Sequence, residues 1–264
     1  MNFFSMSLFK KTLEKKFLYP TAVFLLIIFE LVFVTDGILE PTTLGKKSLS
    51  FALSIPFFSC CLLIAKIGMK NKNEFNFKEA TSILLNEGPK IAFATLISSS
   101  FFLGLMLSGC LVHSFEKLPV AGPYLKIVLC VANFFILLVE NLSILATFLL
   151  FYVLASLTFT KRNIDLKMIV LELQELFSKN STKMMSFIKA SLPLFLLGSL
   201  CMITKNNVIE SDQGAFKLLY EMILAIPISL VLAPFVNYFF LAVQVLEEKS
   251  MMKDLRITQS SLAR

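Results

Sequence analysis

The sequence predicts an all-α, polytopic membrane protein with six transmembrane helices, laid out as three units that each join an elbow helix to a hairpin of two spans. Three observations carry that expectation. Of the 264 residues, 56% are apolar and 16% charged, against about 45–50% and 25% in soluble domains. Six segments approach the roughly 20 apolar residues a helix needs to cross a hydrocarbon core of about 30 Å. A short amphipathic stretch bearing Lys runs into the first, third and fifth of these segments, at Phe9–Phe17, Phe77–Ile91 and Leu166–Phe187.

The expected spans are Phe17–Thr35, Ser48–Gly68, Ile91–Val112, Leu125–Thr158, Met185–Thr204 and Ala215–Val245. They form one integral membrane domain over 1–264, with units at 1–68, 69–158 and 159–246 and a tail at 247–264. The first span holds Glu30 and lacks an Ala-x-Ala-like cleavage site, so it reads as an uncleaved helix and not a signal peptide. The fourth and sixth correspond to about 45 Å of helix, long enough to tilt, kink or project from the bilayer. The fifth is interrupted by Lys189, Ser191 and Pro193.

Charge sets the direction. One set of flanks carries Lys10, Lys11, Lys15 and Lys16, then Lys66, Lys70, Lys72, Lys78 and Lys90. The same side continues with Lys161, Arg162, Lys167, Lys179, Lys183 and Lys189, then Lys249, Lys253, Arg256 and Arg264. The other side has Lys46, Lys47, Lys117, Lys126, Lys205 and Lys217. Roughly three quarters of the 25 Lys and Arg thus fall on one face, which the positive-inside rule makes cytoplasmic, with both termini there. The net charge of +7 belongs to these flanks and not to a basic face interleaved with aromatics, so no nucleic acid is expected as partner.

The elbows repeat a pattern. In the third, Leu166, Ile169, Val170, Leu173, Leu176 and Phe177 recur at helical spacing, with Lys167, Glu172, Gln174, Glu175 and Lys179 largely opposite. The second sets Phe77, Ala80, Ile83 and Leu84 against Lys78, Glu79 and Asn86, and the Gly88-Pro89 step predicts a break before the span. The first sets Phe9, Leu13 and Phe17 against Lys10, Lys11, Glu14 and Lys15. Helices of this kind lie in the interface with Lys near anionic headgroups, so Lys10, Lys11, Lys78, Lys167, Lys179 and Lys183 are candidate headgroup contacts. The duller reading is that they are anchors for the bundle.

The order of elbow, span, span, three times over, resembles bacterial six-helix membrane families. These include the YciC-like proteins and the membrane domain that accompanies some glycerophosphodiester phosphodiesterases. The elbow step is carried here by Leu173, Leu176, Phe177, Ser178, Lys179 and Asn180. The aromatic of such elbows is Phe177 and not Trp, and the phosphodiesterase catalytic domain is absent from the sequence. The resemblance implies a bacterial inner-membrane protein and supplies no catalytic residue.

Ionisable groups within spans are functional candidates. Glu140, followed by Asn141 and preceded two turns earlier by Asn133, is the most interior; with Glu30 it forms the candidate intramembrane polar site. The competing reading is a polar contact holding helices together. Glu30 has Lys126 as a partner at similar depth, and Glu221 has Lys217 at i,i+4 spacing. Asn237 and Gln244 are candidates for a polar seam in the sixth span, which Pro227 and Pro234 are expected to bend. Ser100, Gly104 and Ser108 form a small-xxx-small stripe for helix packing, within the bundle or between protomers.

Chemistry finds little to build on. His113 is the single histidine, so His triads and metalloprotease helices are out of reach. The five cysteines, Cys60, Cys61, Cys110, Cys130 and Cys201, lie in or at the end of apolar runs without metal-ligand spacing. No catalytic residue, metal site or cofactor is expected. The sequence leaves two readings. One is a non-catalytic scaffold acting in envelope homeostasis through anionic lipid headgroups and through protein partners or a second copy of the chain. The alternative is a small transporter with Glu140 in its pathway.

Overall fold

Hydrocarbon offers backbone amides no water, so an open chain survives there only as helix, and the structure follows that rule. The structure, a computed structural model, describes residues 5–38, 46–70, 77–118, 121–160, 164–178, 182–209 and 223–245. Eight helices run through them: α1 (Met6–Thr12), α2 (Lys15–Ile38), α3 (Lys46–Lys70), α4 (Phe77–Glu116), α5 (Ala121–Phe159), α6 (Leu166–Phe177), α7 (Thr182–Ile209) and α8 (Ile223–Val245).

The protein is an all-α, multi-pass membrane protein, but its described residues hold four of the expected six spans. Among the described residues four helices are long and apolar enough to cross a membrane: Ser48–Lys70 of α3, Ala80–Glu116 of α4, Ile127–Phe159 of α5 and α8. Charge and proline interrupt the other two expected segments: Glu30 lies in α2, and Lys189 and Pro193 lie in α7, and the side chains described there end at Val32 and Leu197. Helix α2 packs beside α3, and α7 meets α5 through the ring of Phe195 on Phe148, 4.6 Å between centroids.

The threefold unit is altered too. Elbows one and three are separate helices, α1 and α6, but the second is not. Helix α4 runs unbroken for 40 residues through Gly88 and Pro89, so elbow and span are one rod. Pro89 removes one backbone donor, and the helix absorbs it without ending. Pro56 and Pro193 likewise lie inside α3 and α7, and Pro227 and Pro234 inside α8. The tail at 247–264, Lys179, Lys217 and Glu221 lie outside the described residues, as do the side chains of Lys46, Lys47 and Lys126.

Burial divides the four long helices. About half of the apolar window of α3 and α8 is buried, 50% and 56%, against 28% and 22% in α4 and α5. Helices α3 and α8 are therefore central, and α4 and α5 present Phe93, Phe101, Leu107, Phe134 and Leu142 outward, as a lipid-facing surface would. The centre is aromatic: Phe58 of α3 meets Phe151 of α5 at 4.8 Å and Phe240 of α8 at 5.6 Å between centroids.

Two contacts join α8 to α2. The Asn237 amide of α8 donates to the Phe17 carbonyl of α2 at 3.1 Å, and the Thr21 hydroxyl donates to Asn237 Oδ1 at 2.9 Å. Asn237, Thr21 and Phe17 are all fully buried. The Phe17 ring then fills the space over Gly68 of α3, where an added Cβ would run into the ring edge at Cε1 and Cδ1. Glycine is required here for close approach and not for its backbone freedom.

Gly68→Ala is expected to destabilise the protein by about 1–3 kcal/mol through overpacking, read as a lowered thermal midpoint in detergent. The double variant Gly68→Ala with Phe17→Leu should recover part of what the two single losses sum to. Simple additivity would reject this contact as the cause.

Candidate functional site

The Lys-rich end of the bundle gathers the elbows and several buried polar side chains, among them Thr158, Glu172 and Asn237. Each elbow is fixed there by a different contact. Elbow α1 lies on α8, with the Phe9 ring 5.1 Å from Phe235 between centroids. The Ser5 backbone N–H donates to the Tyr238 hydroxyl at 3.1 Å, and the Ser5 hydroxyl caps α1 by accepting from the Leu8 N–H.

The second elbow, the first turns of α4, is held through Glu87. Lys66 of α3 pairs with Glu87 and also donates to the Thr158 carbonyl of α5 at 2.8 Å. One ammonium thus joins three helices. Because the Thr158 carbonyl belongs to the last turn of α5, whose carbonyls lack helical partners, the cation meets a group that needs a donor.

The third elbow, α6, is held through Glu172. The stripe expected to be apolar in fact brings Ile169, Glu172 and Leu176 to the buried face, with Glu172 3% exposed. Glu172 accepts from the Ser156 hydroxyl of α5 at 3.1 Å and pairs with Lys183 of α7 at 2.8 Å, while Lys183 also reaches Glu175 at 2.6 Å. Leu166, Val170 and Phe177 point outward. A periodicity count puts Glu172 with the charges. What it misses is that a carboxylate is tolerated in a buried place that both a cation and a hydroxyl reach.

The predicted headgroup contacts separate accordingly. Lys10, Lys78 and Lys167 are exposed, and Lys11 is half-buried. Lys183 is already engaged by two carboxylates within the protein, so it is a tie between α6 and α7.

The four residues of the expected intramembrane polar site do not share one place. Glu140 is 2% exposed and accepts a 2.6 Å hydrogen bond from the Ser48 hydroxyl of α3. Asn141, the next residue, turns outward and donates to its own helix at the Leu137 carbonyl. Asn133 donates to Glu116 of α4 at 2.7 Å, and His113 Nδ1 lies 3.8 Å from the same carboxylate; this group ties α4 to α5. Glu30 sits half-buried on α2. The stripe of Ser100, Gly104 and Ser108 faces away from the bundle: nothing lies within 4 Å of a Cβ built on Gly104, and Ser108 bonds the Gly104 carbonyl of its own helix.

A groove of about 420 Å³ runs between α4, α5 and α6, open to the side of the bundle. Its wall is nearly all apolar, with Lys90 at one end. Among the described residues no group of three His, Cys, Asp or Glu is placed to hold a metal ion, and the cysteines described, Cys60, Cys61, Cys110 and Cys130, are free thiols.

The chain matches no family model, no curated protein and no solved structure. The fold and these contacts define a class, a multi-pass helical membrane protein with elbow helices tied to one end, and no family assignment stands beside it.

Two substitutions at Glu140 separate packing from charge. Glu140→Gln keeps an acceptor for Ser48 and should hold stability within about 1 kcal/mol. Glu140→Ala leaves the Ser48 donor unmet and is expected to lose about 1–3 kcal/mol, measured by denaturant titration in micelles. Equal losses would show that the carboxylate's charge matters beyond its bond to Ser48.

Proposed function

We propose that this protein is a non-catalytic membrane scaffold. Its elbows present Lys to anionic headgroups on one face of the bilayer, and its outer surface engages lipid and protein partners. The observation that carries the reading is the fixing of the elbows to the bundle by polar contacts and rings, while Lys10, Lys78 and Lys167 remain exposed beside them. Anchored helices hold their cations at one level, and each Lys near an anionic leaflet contributes about 1 kcal/mol. Placing that face in the cytoplasm of a bacterial inner membrane follows the charge bias of the sequence, and the resemblance to YciC-like proteins belongs to the same proposal.

The aromatic centre around Phe58 and the satisfied Glu140–Ser48 bond favour this reading over a transport pathway through Glu140. A proton- or ion-coupled site needs its carboxylate to meet water during the cycle, whereas Glu140 lies against α3 with a protein donor.

Neutralising Lys10, Lys11 and Lys167 together to Gln should lower the anionic fraction of co-purifying lipid several-fold, measured by lipid mass spectrometry after mild extraction. An unchanged fraction would reject the elbow role. In proteoliposomes, Glu140→Gln should leave ion and proton leak at the wild-type level; a flux abolished by this substitution would establish the transporter instead.

A further inference from the structure

The groove between α4, α5 and α6 is not used by any contact described above. We propose that it holds one acyl chain of an anionic phospholipid from the Lys-rich leaflet, with the headgroup at Lys90. The inference rests on the reading of the protein as a lipid-engaging scaffold and narrows it to one site and one ligand.

Length is the first argument. On α4 the lining runs from Lys90 to Phe102, about 18 Å at 1.5 Å per residue. Half of a hydrocarbon core of about 30 Å is about 15 Å, so the groove spans one leaflet and stops near the midplane. That is the reach of a single acyl chain, whereas a partner helix crossing the bilayer would need a face about twice as long.

Chemistry is the second. The floor contains Ser98 and Thr147, whose hydroxyls lie 3.1 Å apart in a hydrogen bond linking α4 to α5, and Thr147 also bonds the Ser143 carbonyl. The polar atoms of the floor are thus answered from within, and the surface left to an occupant is apolar. Small residues, Ala94 and Ala146, make the hollow. A phospholipid chain covers such a surface without leaving any donor unmet.

Charge is the third. Lys90 closes the elbow end and is exposed, and it makes no ion pair among the described residues. This contrasts with Lys66 and Lys183, each committed to a carboxylate. Leu166, also in the lining, is followed by the exposed Lys167 at the start of α6. The open end of an apolar groove therefore carries cations at the depth of headgroups, which matches phosphatidylglycerol or a lipid of like charge and offers nothing particular to a zwitterionic one.

The full-length protein in mixed phosphatidylcholine–phosphatidylglycerol nanodiscs, released and stripped of loose lipid in native mass spectrometry, tests this. Wild type should retain one phosphatidylglycerol. Ala146→Phe fills the hollow from an exposed position and should lower that retained species about tenfold, with the anionic fraction of loosely held lipid unchanged. Lys90→Gln should keep a bound lipid but lose roughly fivefold of its preference for phosphatidylglycerol over phosphatidylcholine.

Retention by Ala146→Phe equal to wild type overturns the site, and an unchanged preference in Lys90→Gln overturns the role of Lys90. A dimeric species that disappears with Ala146→Phe would make a second copy of the chain the occupant. If wild type retains no lipid while the loosely held lipid stays enriched in anionic species, the groove site falls and the scaffold reading stands. If that enrichment is missing as well, both fall.

Discussion

A polar side chain set among apolar helices has no water to turn to, and at the Lys-rich end of this bundle that constraint decides which helices meet. Asn237 is satisfied only where α8 lies against α2, because both its partners, Thr21 and the Phe17 carbonyl, belong to α2. Once α8 is so placed, Phe235 and Tyr238 meet α1, and Phe17 is held over Gly68 of α3. Unmet polar groups in an apolar setting cost several kcal/mol, whereas sliding one apolar face past another costs little. The register of the bundle therefore comes from a few polar atoms, and its cohesion from the many apolar ones.

The same economy explains the elbows. An amphipathic helix at an interface is free to drift in the plane unless something ties it down. Here α5 provides two of the ties from a single turn at one end, the Ser156 hydroxyl to Glu172 and the Thr158 carbonyl to Lys66. The last turn of a helix has carbonyls without intrahelical donors, so a cation is favoured there. The opposite end has a lighter arrangement, with Asn133 and Glu116 closing the α4–α5 hairpin.

Much of this was legible in the sequence, for physical reasons. Long apolar runs gave α3, α4, α5 and α8, and the paired Lys and apolar stripes gave α1 and α6. Helices α2, interrupted by Glu30, and α7, interrupted by Lys189 and Pro193, are the two expected spans that are not among the four qualifying over the described residues. The Gly88-Pro89 step predicts a break because both residues disfavour helix, yet a long rod with neighbours on both sides tolerates one missing hydrogen bond. Glu140 was legible as an interior carboxylate, but its partner Ser48, distant by 92 positions in the chain, was not. No pattern within one helix names a residue on another. Glu172 went unread for the same reason.

Glu140 is enclosed by the bundle, with the Ser48 hydroxyl as its donor. The direct measurement is thiol accessibility at that position: Glu140→Cys in a background with the native cysteines replaced, challenged in sealed membranes with a small, charged, thiol-reactive reagent from each side in turn. A cysteine that stays unreacted from both sides until the protein is denatured is the expected result. Reaction from either side in the folded protein would reveal a water path to position 140 and contradict the account.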